Sequence, residues 1–455
     1  MATEYYVSPF GGTVDIRVKV PGSKSMTNRA LLLAALSDGD SVLKGIGVSV
    51  DSRLFMEALT ALGFDLKETY GSDGSVSVKI SGCGKNLPSK DAKVYVGSAG
   101  TAARFLTAMM GLSDGVYEVS SSEQMKKRPM RELLEALELM GATFDFYEEA
   151  YAFPFKVTGR MHESNLGKQL PDEIPLNIDK SSQFLSALLL CGPMVSEGFA
   201  IRLTGDRDAL SYVRISERMM RDFGYGQATD STDFSDTGRP LYRVKPNESY
   251  IARVYDVEPD VSAACYFYAM AAVNGGRACV IGVNRDNTQG DLRFLDVLER
   301  MGCRVYTDND GNIVVKRDTE MRLHGVKVDM GDFSDQTMTL ATTAPFAKGV
   351  TTITGVAHIR GQESNRIKAI VTELGRLGVE CEELEDGVRI VPFSDEELEM
   401  RNSNPKKVCI ETYDDHRMAM AFAVAGTCLD GVIIESPDCC KKTFDSYFDI
   451  LSCLM

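Results

Sequence analysis

The chain has 455 residues, 44% hydrophobic and 25% charged, the balance of a soluble folded protein rather than a disordered or fibrous one. Its 65 acidic and 50 basic side chains leave a net charge of −15, which argues against nucleic acid or an anionic membrane as a partner, since a basic surface supplies most of that affinity. The longest apolar runs, ALLLAAL at 30–36 and FLSALLLC at 184–191, fall well short of the roughly 18–20 residues of a membrane span.

The start, MATEYYVSPF, has no basic stretch followed by an apolar one, so no secretory signal is expected. Eleven cysteines without a CxxC or Cys/His zinc pattern suit reduced thiols in a cytosol. The four histidines, His162, His324, His358 and His416, are scattered, and no metal site is expected. At roughly 150 residues per domain, the length alone suggests about three domains.

In chain order, residues 14–20 (VDIRVKV) alternate as a strand and are turned by Pro21 and Gly22. A helix is predicted from about Met26, with Ser23 or Ser25 as its cap, Lys24 in the turn and Arg29 one helical turn further on. A second strand–turn–helix follows at KVYVGSAGTAARFLTAMMGL, where Gly97, Ser98 and Gly100 expose backbone N–H groups ahead of Thr101 and Arg104. Lys126, Lys127 and Arg128 then precede Pro129 and a helix. A third start is IDKSSQFLSALLL, with Lys180, Ser181, Ser182 and Gln183 ahead of an apolar helix.

Such starts suit anions, because the exposed N–H groups and the positive end of the helix dipole favour negative charge. Ordinary capping explains any one of the serines better than ligand binding does. Lys24 is different: a cation at a helix N-terminus opposes the dipole. The string is not a P-loop, since GxxxxGK[ST] is absent.

In the second half, Asp335 is placed at a helix start in FSDQTMTLATT, where capping is the commonest role. Glu363 and Arg366 stand three apart in QESNRIKAI, as an ion pair on one helical face. Asp414, Asp415, His416 and Arg417 precede an almost wholly apolar helix, and Lys441 and Lys442 follow in CCKKTF. Five amphipathic helices end at a glycine, at Gly63, Gly141, Gly224, Gly302 and Gly378, where the left-handed C′ position carries no Cβ penalty. They are spaced 78, 83, 78 and 76 residues apart, and the chain ends 77 residues after the last, on the helix-like FDILSCLM. The length is therefore close to six α/β units of about 76 residues with mixed sheets.

These strings resemble the 5-enolpyruvylshikimate-3-phosphate synthase family of enolpyruvyl transferases. PGSKSMTNRALLLAAL, GSAGTAARFL, KKRPM, SSQFLSALL, QGDLRFLDVLERMG, FSDQTMTLA, QESNRI, DDHRMAMAFA and KKTF run in order over essentially the whole chain. The resemblance implies a two-domain inside-out α/β barrel with three βαβαββ units per domain. Its helix N-termini would face an interdomain cleft that closes on the substrates. Residues 1–22 with 256–455 would form a discontinuous domain on the phosphoenolpyruvate side, and 23–255 an inserted domain on the shikimate 3-phosphate side.

It also implies the reaction: enolpyruvyl transfer from phosphoenolpyruvate to the 5-hydroxyl of shikimate 3-phosphate, releasing phosphate, in chorismate and aromatic amino-acid biosynthesis. No metal or organic cofactor, nucleic acid or membrane is involved, and a cytoplasmic monomer is expected. By motif match, Lys24, Ser25, Arg29, Ser181, Ser182, Gln183, Tyr212, Asp335 and Gln362 would bind shikimate 3-phosphate. Lys24, Gly100, Arg128, Gln183, Arg366, Arg417 and Lys442 would bind phosphoenolpyruvate. Lys24, Asp335 and Glu363 would be catalytic, Asp335 toward the hydroxyl and Glu363 toward carbon 3 of phosphoenolpyruvate. The negative total would lie on the outer surface, with a small positive cluster at helix starts inside. Gly100, rather than alanine, implies sensitivity to glyphosate as a competitor for that pocket.

Two positions depart from the family pattern. Gln362 stands where many members have lysine, and Ala209 where many have serine; both positions contact the 3-phosphate in the family, and Lys180 is the expected substitute. The rivals are a UDP-N-acetylglucosamine 1-carboxyvinyltransferase, whose mobile-loop cysteine is missing from SSSEQMKKRPM, and a binding-only homologue without activity.

Overall fold

The computed structural model describes residues 3–72, 74–206, 210–226 and 240–455. Ala209 lies outside the described residues. The chain divides into two compact units, Met1–Pro21 with Glu258–Met455, and Gly22–Val257. Each has its own hydrophobic core.

One strand order recurs in both units. In the inserted unit, Asp91–Tyr95 pairs parallel with Val116–Ser120, which pairs antiparallel with Phe155–Thr158, which pairs antiparallel with Thr143–Phe146. In the discontinuous unit, Lys327–Asp329, Thr351–Thr354, Gly387–Ile390 and Cys381–Leu384 repeat that order and those directions. The strand Val14–Lys19 supplies the first strand of another such sheet, parallel to Gly276–Ile281. Its alternating burial, with Val14, Ile16 and Val18 inward, is the period-2 pattern of a half-buried strand.

A parallel pair needs a crossover, and four buried helices serve so here: Gly100–Gly111, Gln183–Leu190, Thr337–Thr343 and His416–Gly426 each join the two strands of a parallel pair. Lys24–Ala35, Gly100–Gly111 and Gln183–Leu190 pack against one another in the inserted unit. Val261–Asn274, Thr337–Thr343 and His416–Gly426 do so in the other. All residues of Gly100–Gly111 are buried, the polar Thr101, Arg104 and Thr107 among them.

The five glycine-terminated helices close alike. Gly63, Gly141, Gly224, Gly302 and Gly378 all have φ between +75° and +109°, which L side chains resist and glycine does not. In each, the glycine N–H donates three residues back and the next N–H donates five back, as in Gly63 to Thr60 and Phe64 to Leu59, or Gly378 to Gly375 and Val379 to Leu374. That is the Schellman closure.

Several helix starts differ from expectation. The first helix begins at Lys24, not near Met26, and Ser23 occupies the N-cap position without making a side-chain capping bond. Ser25 is already helical. Gly100 and Gln183 also open helices whose preceding residue, Ala99 or Ser182, makes no side-chain cap. Asp335 lies in a short 3₁₀ turn, Ser334–Gln336, and does not cap the helix Thr337–Thr343. Glu363 precedes the helix Arg366–Arg376, whose cap is Asn365, so Glu363 and Arg366 do not share a helical face. His416 and Arg417 are the first two residues of their helix rather than its approach, and Asp415 is the cap.

Candidate active site

The expected site residues fall into two clusters, one in each unit. In the inserted unit, the starts of the three inner helices carry most of one cluster. Packing brings these starts together because the three helices lie against one another in the core of the unit. Asn28 Nδ2 donates to Thr101 Oγ1 at 2.5 Å, tying the first helix to the second. Lys24 Nζ lies 3.4 Å from Asp51 Oδ2.

Arg29 is buried and donates from Nε to Ser216 Oγ at 2.8 Å and from Nη2 to Ser186 Oγ at 3.4 Å and the Tyr212 carbonyl at 3.3 Å. Burial pulls its pKa down to about 10, so the guanidinium remains charged at neutral pH. Ser181 Oγ accepts from the Gln183 amide at 3.3 Å.

Gly100 lies between two arginines. A Cβ on it would stand 2.8 Å from Arg104 Nη1 and 2.8 Å from both terminal nitrogens of Arg128. Arg104 donates to Gln183 Oε1 at 2.7 Å and to the Pro129 carbonyl at 2.9 Å, which links the second helix start to the third. Arg128 donates to the Ser98 carbonyl at 3.3 Å. Sequence reading placed Arg104 after the glycine turn without giving it a role. The signal was its position four residues into the helix, where its guanidinium reaches back to the Gly100 carbonyl at 3.3 Å. Asp51 carried no sequence signal.

Lys180 is 62% exposed and lies 2.9 Å from Glu132. Any contact it makes with a phosphate competes with that pair.

In the discontinuous unit the centre is Arg366, whose side chain is 1% exposed. Its Nε donates to Asp415 Oδ2 at 2.8 Å, its Nη1 to Asp335 Oδ1 at 3.2 Å and Gln362 Oε1 at 2.5 Å, and its Nη2 to Glu363 Oε2 at 2.8 Å. Burial works against its charge, but the carboxylates of Asp415, Glu363 and Asp335 hold its pKa above the ordinary arginine value. Arg417 Nη2 donates to Asp335 Oδ2 at 2.6 Å. Lys442 Nζ lies 3.6 Å from Glu363 Oε1. Five of the expected residues, Asp335, Glu363, Arg366, Arg417 and Lys442, thus form one network, and Gln362 joins it through Arg366.

This network is not the bare positive cluster expected. Three cations, Arg366, Arg417 and Lys442, are matched by the carboxylates Asp335, Glu363 and Asp415. Two carboxyl groups went without an assigned role in the sequence. Asp415 holds Arg366 and accepts from the Arg417 amide at 3.0 Å. Asp291, in the QGD string, is buried and bonded to Ser262. Burial and the nearby Asp335 charge, opposed by Arg417, push its pKa up to about 7.

Residues 10–451 match the family model of EPSP synthase (3-phosphoshikimate 1-carboxyvinyltransferase). The chain belongs to the EPSP synthase family. Over 435 residues it is 40% identical to the 3-phosphoshikimate 1-carboxyvinyltransferase of Trichormus variabilis, covering 96% of this chain and 95% of that one. Over 436 residues it is 36% identical to the enzyme of the same name from Ralstonia pickettii, covering 95% of each.

Among solved structures, EPSP synthase from Acinetobacter baumannii superposes with a TM-score of 0.75 at 24% identity, covering 99% of this chain and 98% of that one. The enolpyruvyl transferase NikO from Streptomyces tendae gives 0.71 at 16% identity, covering 100% and 98%. These two likenesses establish the mixed α/β fold. Among the described residues, no helix is long and apolar enough to cross a membrane.

Proposed function

We infer that this chain is a 3-phosphoshikimate 1-carboxyvinyltransferase, which moves the enolpyruvyl group of phosphoenolpyruvate to the 5-hydroxyl of shikimate 3-phosphate and releases phosphate. The step belongs to the shikimate route to aromatic amino acids. Near-full-length membership of the family carries this reading. The buried arginine–carboxylate network around Arg366 is the feature that suits two multiply anionic substrates.

In this reading, shikimate 3-phosphate is bound by Lys24, Ser25, Arg29, Ser181, Ser182, Gln183, Tyr212, Asp335 and Gln362. Phosphoenolpyruvate is bound by Lys24, Gly100, Arg128, Gln183, Arg366, Arg417 and Lys442. Planar guanidinium forks match carboxylate and phosphate oxygens in pairs. The carboxylates that now hold Arg366 and Arg417 keep these forks oriented before an anion arrives, so little reorganisation accompanies binding.

Asp335 takes the proton of the 5-hydroxyl as that oxygen attacks carbon 2 of phosphoenolpyruvate. Glu363, paired as a carboxylate with Arg366 and Lys442, takes up a proton before it supplies one to carbon 3, and Lys24 stabilises the charge of the tetrahedral adduct. Return of a methyl proton to Glu363, and departure of phosphate with the proton held by Asp335, then restore the double bond and both carboxyl groups. Asp335 begins this cycle held by both arginines. Transfer of these bonds to phosphoenolpyruvate would free its oxygens for the hydroxyl.

The fuller architectural reading is three βαβαββ units in each domain of an inside-out barrel. Residues 23–255 would serve shikimate 3-phosphate, and 1–22 with 256–455 phosphoenolpyruvate. The charge of −15 supports a protein without nucleic-acid partners, and a cytoplasmic monomer is the assembly proposed.

A phosphate-release assay tests the reading. Purified chain releases phosphate only with shikimate 3-phosphate and phosphoenolpyruvate together. Release with UDP-N-acetylglucosamine as acceptor instead would transfer the assignment to that acceptor, and binding without release would leave a homologue that binds only.

A further inference from the structure

The helix Arg366–Arg376 meets the segment 411–415 at two places. At its first residue, Arg366 holds Asp415. Seven residues on, on the same face, Glu373 reaches the other end of that segment. The Glu373 side chain is 0% exposed, a state glutamate rarely takes unless its oxygens are paired. Its Oε1 accepts from the Tyr413 hydroxyl at 2.7 Å, and its Oε2 accepts from the Glu411 amide at 3.1 Å and Arg376 Nη1 at 3.2 Å. Burial raises the Glu373 pKa, and these three donors pull the other way.

Between Thr412 and Asp415 the chain turns sharply, and the Asp415 amide donates to the Thr412 carbonyl at 2.8 Å. Both central residues are left-handed, Tyr413 at φ +56° and Asp414 at φ +53°. Side chains larger than glycine hold that conformation at a cost, and only where their surroundings impose it. The bond from Tyr413 to Glu373 is such an imposition. The turn delivers Asp415, which holds Arg366 and caps the helix that carries Arg417.

We propose that Glu373 is a positioning residue for the phosphoenolpyruvate arginines: by fixing Tyr413 and Glu411 it sets the turn that places Asp415, and through Asp415 it sets Arg366 and Arg417. The inference rests on the enolpyruvyl-transfer reading, which names what those arginines hold. It adds an anchor that touches neither substrate.

Steady-state kinetics with each substrate varied, together with thermal unfolding, compare wild type with Glu373→Ala, Glu373→Gln and Tyr413→Phe. Glu373→Ala is expected to lower kcat/KM for phosphoenolpyruvate about tenfold or more, mainly through KM. The KM for shikimate 3-phosphate should move by less than about twofold. Glu373→Gln should recover part of the loss, since its amide oxygen still accepts from Tyr413, and Tyr413→Phe should shift the same constants by less. Should the alanine variant not fold, the other two decide.

Variants that melt earlier yet keep wild-type constants well below their melting temperature would reduce Glu373 to a packing role and overturn the proposal. An equal rise in both KM values would do the same. A wild-type chain that turns over neither substrate overturns the functional reading, and this inference with it. An active wild type with unchanged variants overturns this inference alone.

Discussion

Arg366 Nε lies 2.8 Å from Asp415 Oδ2, and both side chains are almost fully excluded from water. A buried pair of this kind is costly to break, because Arg366 loses a carboxylate that water cannot replace and keeps only Asp335, Glu363 and Gln362, while the helix His416–Gly426 loses its cap. Asp415→Ala is therefore expected to destabilise the chain by about 3–5 kcal/mol, measured by urea unfolding. Arg366→Lys keeps the charge but loses the planar fork, and should lower kcat/KM for phosphoenolpyruvate by about 10²–10³. Near-wild-type kinetics in the lysine variant would remove Arg366 from the substrate site.

Asp335 accepts from both Arg366 and Arg417. Asp335→Asn keeps the shape and removes the base. Both substrates should still bind, as read by calorimetric titration, while kcat drops by about 10²–10⁴. Lost binding with a normal kcat on saturation would assign Asp335 to holding substrate instead.

Gly100 leaves space that a methyl group would take from Arg104 and Arg128, each 2.8 Å from the Cβ position. Gly100→Ala must displace one guanidinium or both. The expected outcome is a raised KM for phosphoenolpyruvate and weaker inhibition by glyphosate, with KM for shikimate 3-phosphate little changed. Dose–response curves on wild type and variant check this, and equal inhibition of the two would refute it.

Asp291 gives a pH-dependent stability. Its folded pKa, about 7, lies above the ordinary carboxyl value of 3.8, so the folded chain keeps a proton that the unfolded chain has released. Stability attached to this group is fully present below about pH 4 and is lost as pH rises to about 7. Asp291→Asn removes the titration. The variant should gain stability relative to wild type as pH rises from about 5 to about 8, followed by urea unfolding at each pH. A difference that does not vary with pH would show that Asp291 is ionised throughout.

Lys180 is paired with Glu132 and mostly exposed. If it replaces the charge missing at Gln362, Lys180→Ala should raise KM for shikimate 3-phosphate several-fold and leave KM for phosphoenolpyruvate alone. Gln362 itself is engaged with Arg366, so Gln362→Ala should affect the arginine more than the 3-phosphate. Unchanged KM values in Lys180→Ala would dismiss the compensation.

Much of this molecule was legible before any coordinates. The helix ends at Gly63, Gly141, Gly224, Gly302 and Gly378 were readable because a Schellman closure spans six residues and needs one glycine. The strand 14–20 was readable from its alternation. Helix starts were less so: Ser23 looks like a cap yet makes no capping bond, and Asp335 looks like a cap yet pairs with two arginines. Local preference for capping cannot reveal that a distant cation competes for the same oxygen.

By itself, the sequence determined the period, the composition of the inner helices and the order of the motifs, because these depend on neighbours within a few residues. Tertiary structure alone decided which charges meet. Arg366 and Asp415 are 49 residues apart and Arg417 and Asp335 are 82 apart, and their energies depend on distance and on exclusion of water rather than on spacing along the chain. Asp51 beside Lys24, Arg104 beside Gln183 and Glu373 beneath Tyr413 were invisible for the same reason. Folding also turned the expected positive cluster of the discontinuous unit into a balanced one, because buried cations must be matched by carboxylates until a ligand replaces them.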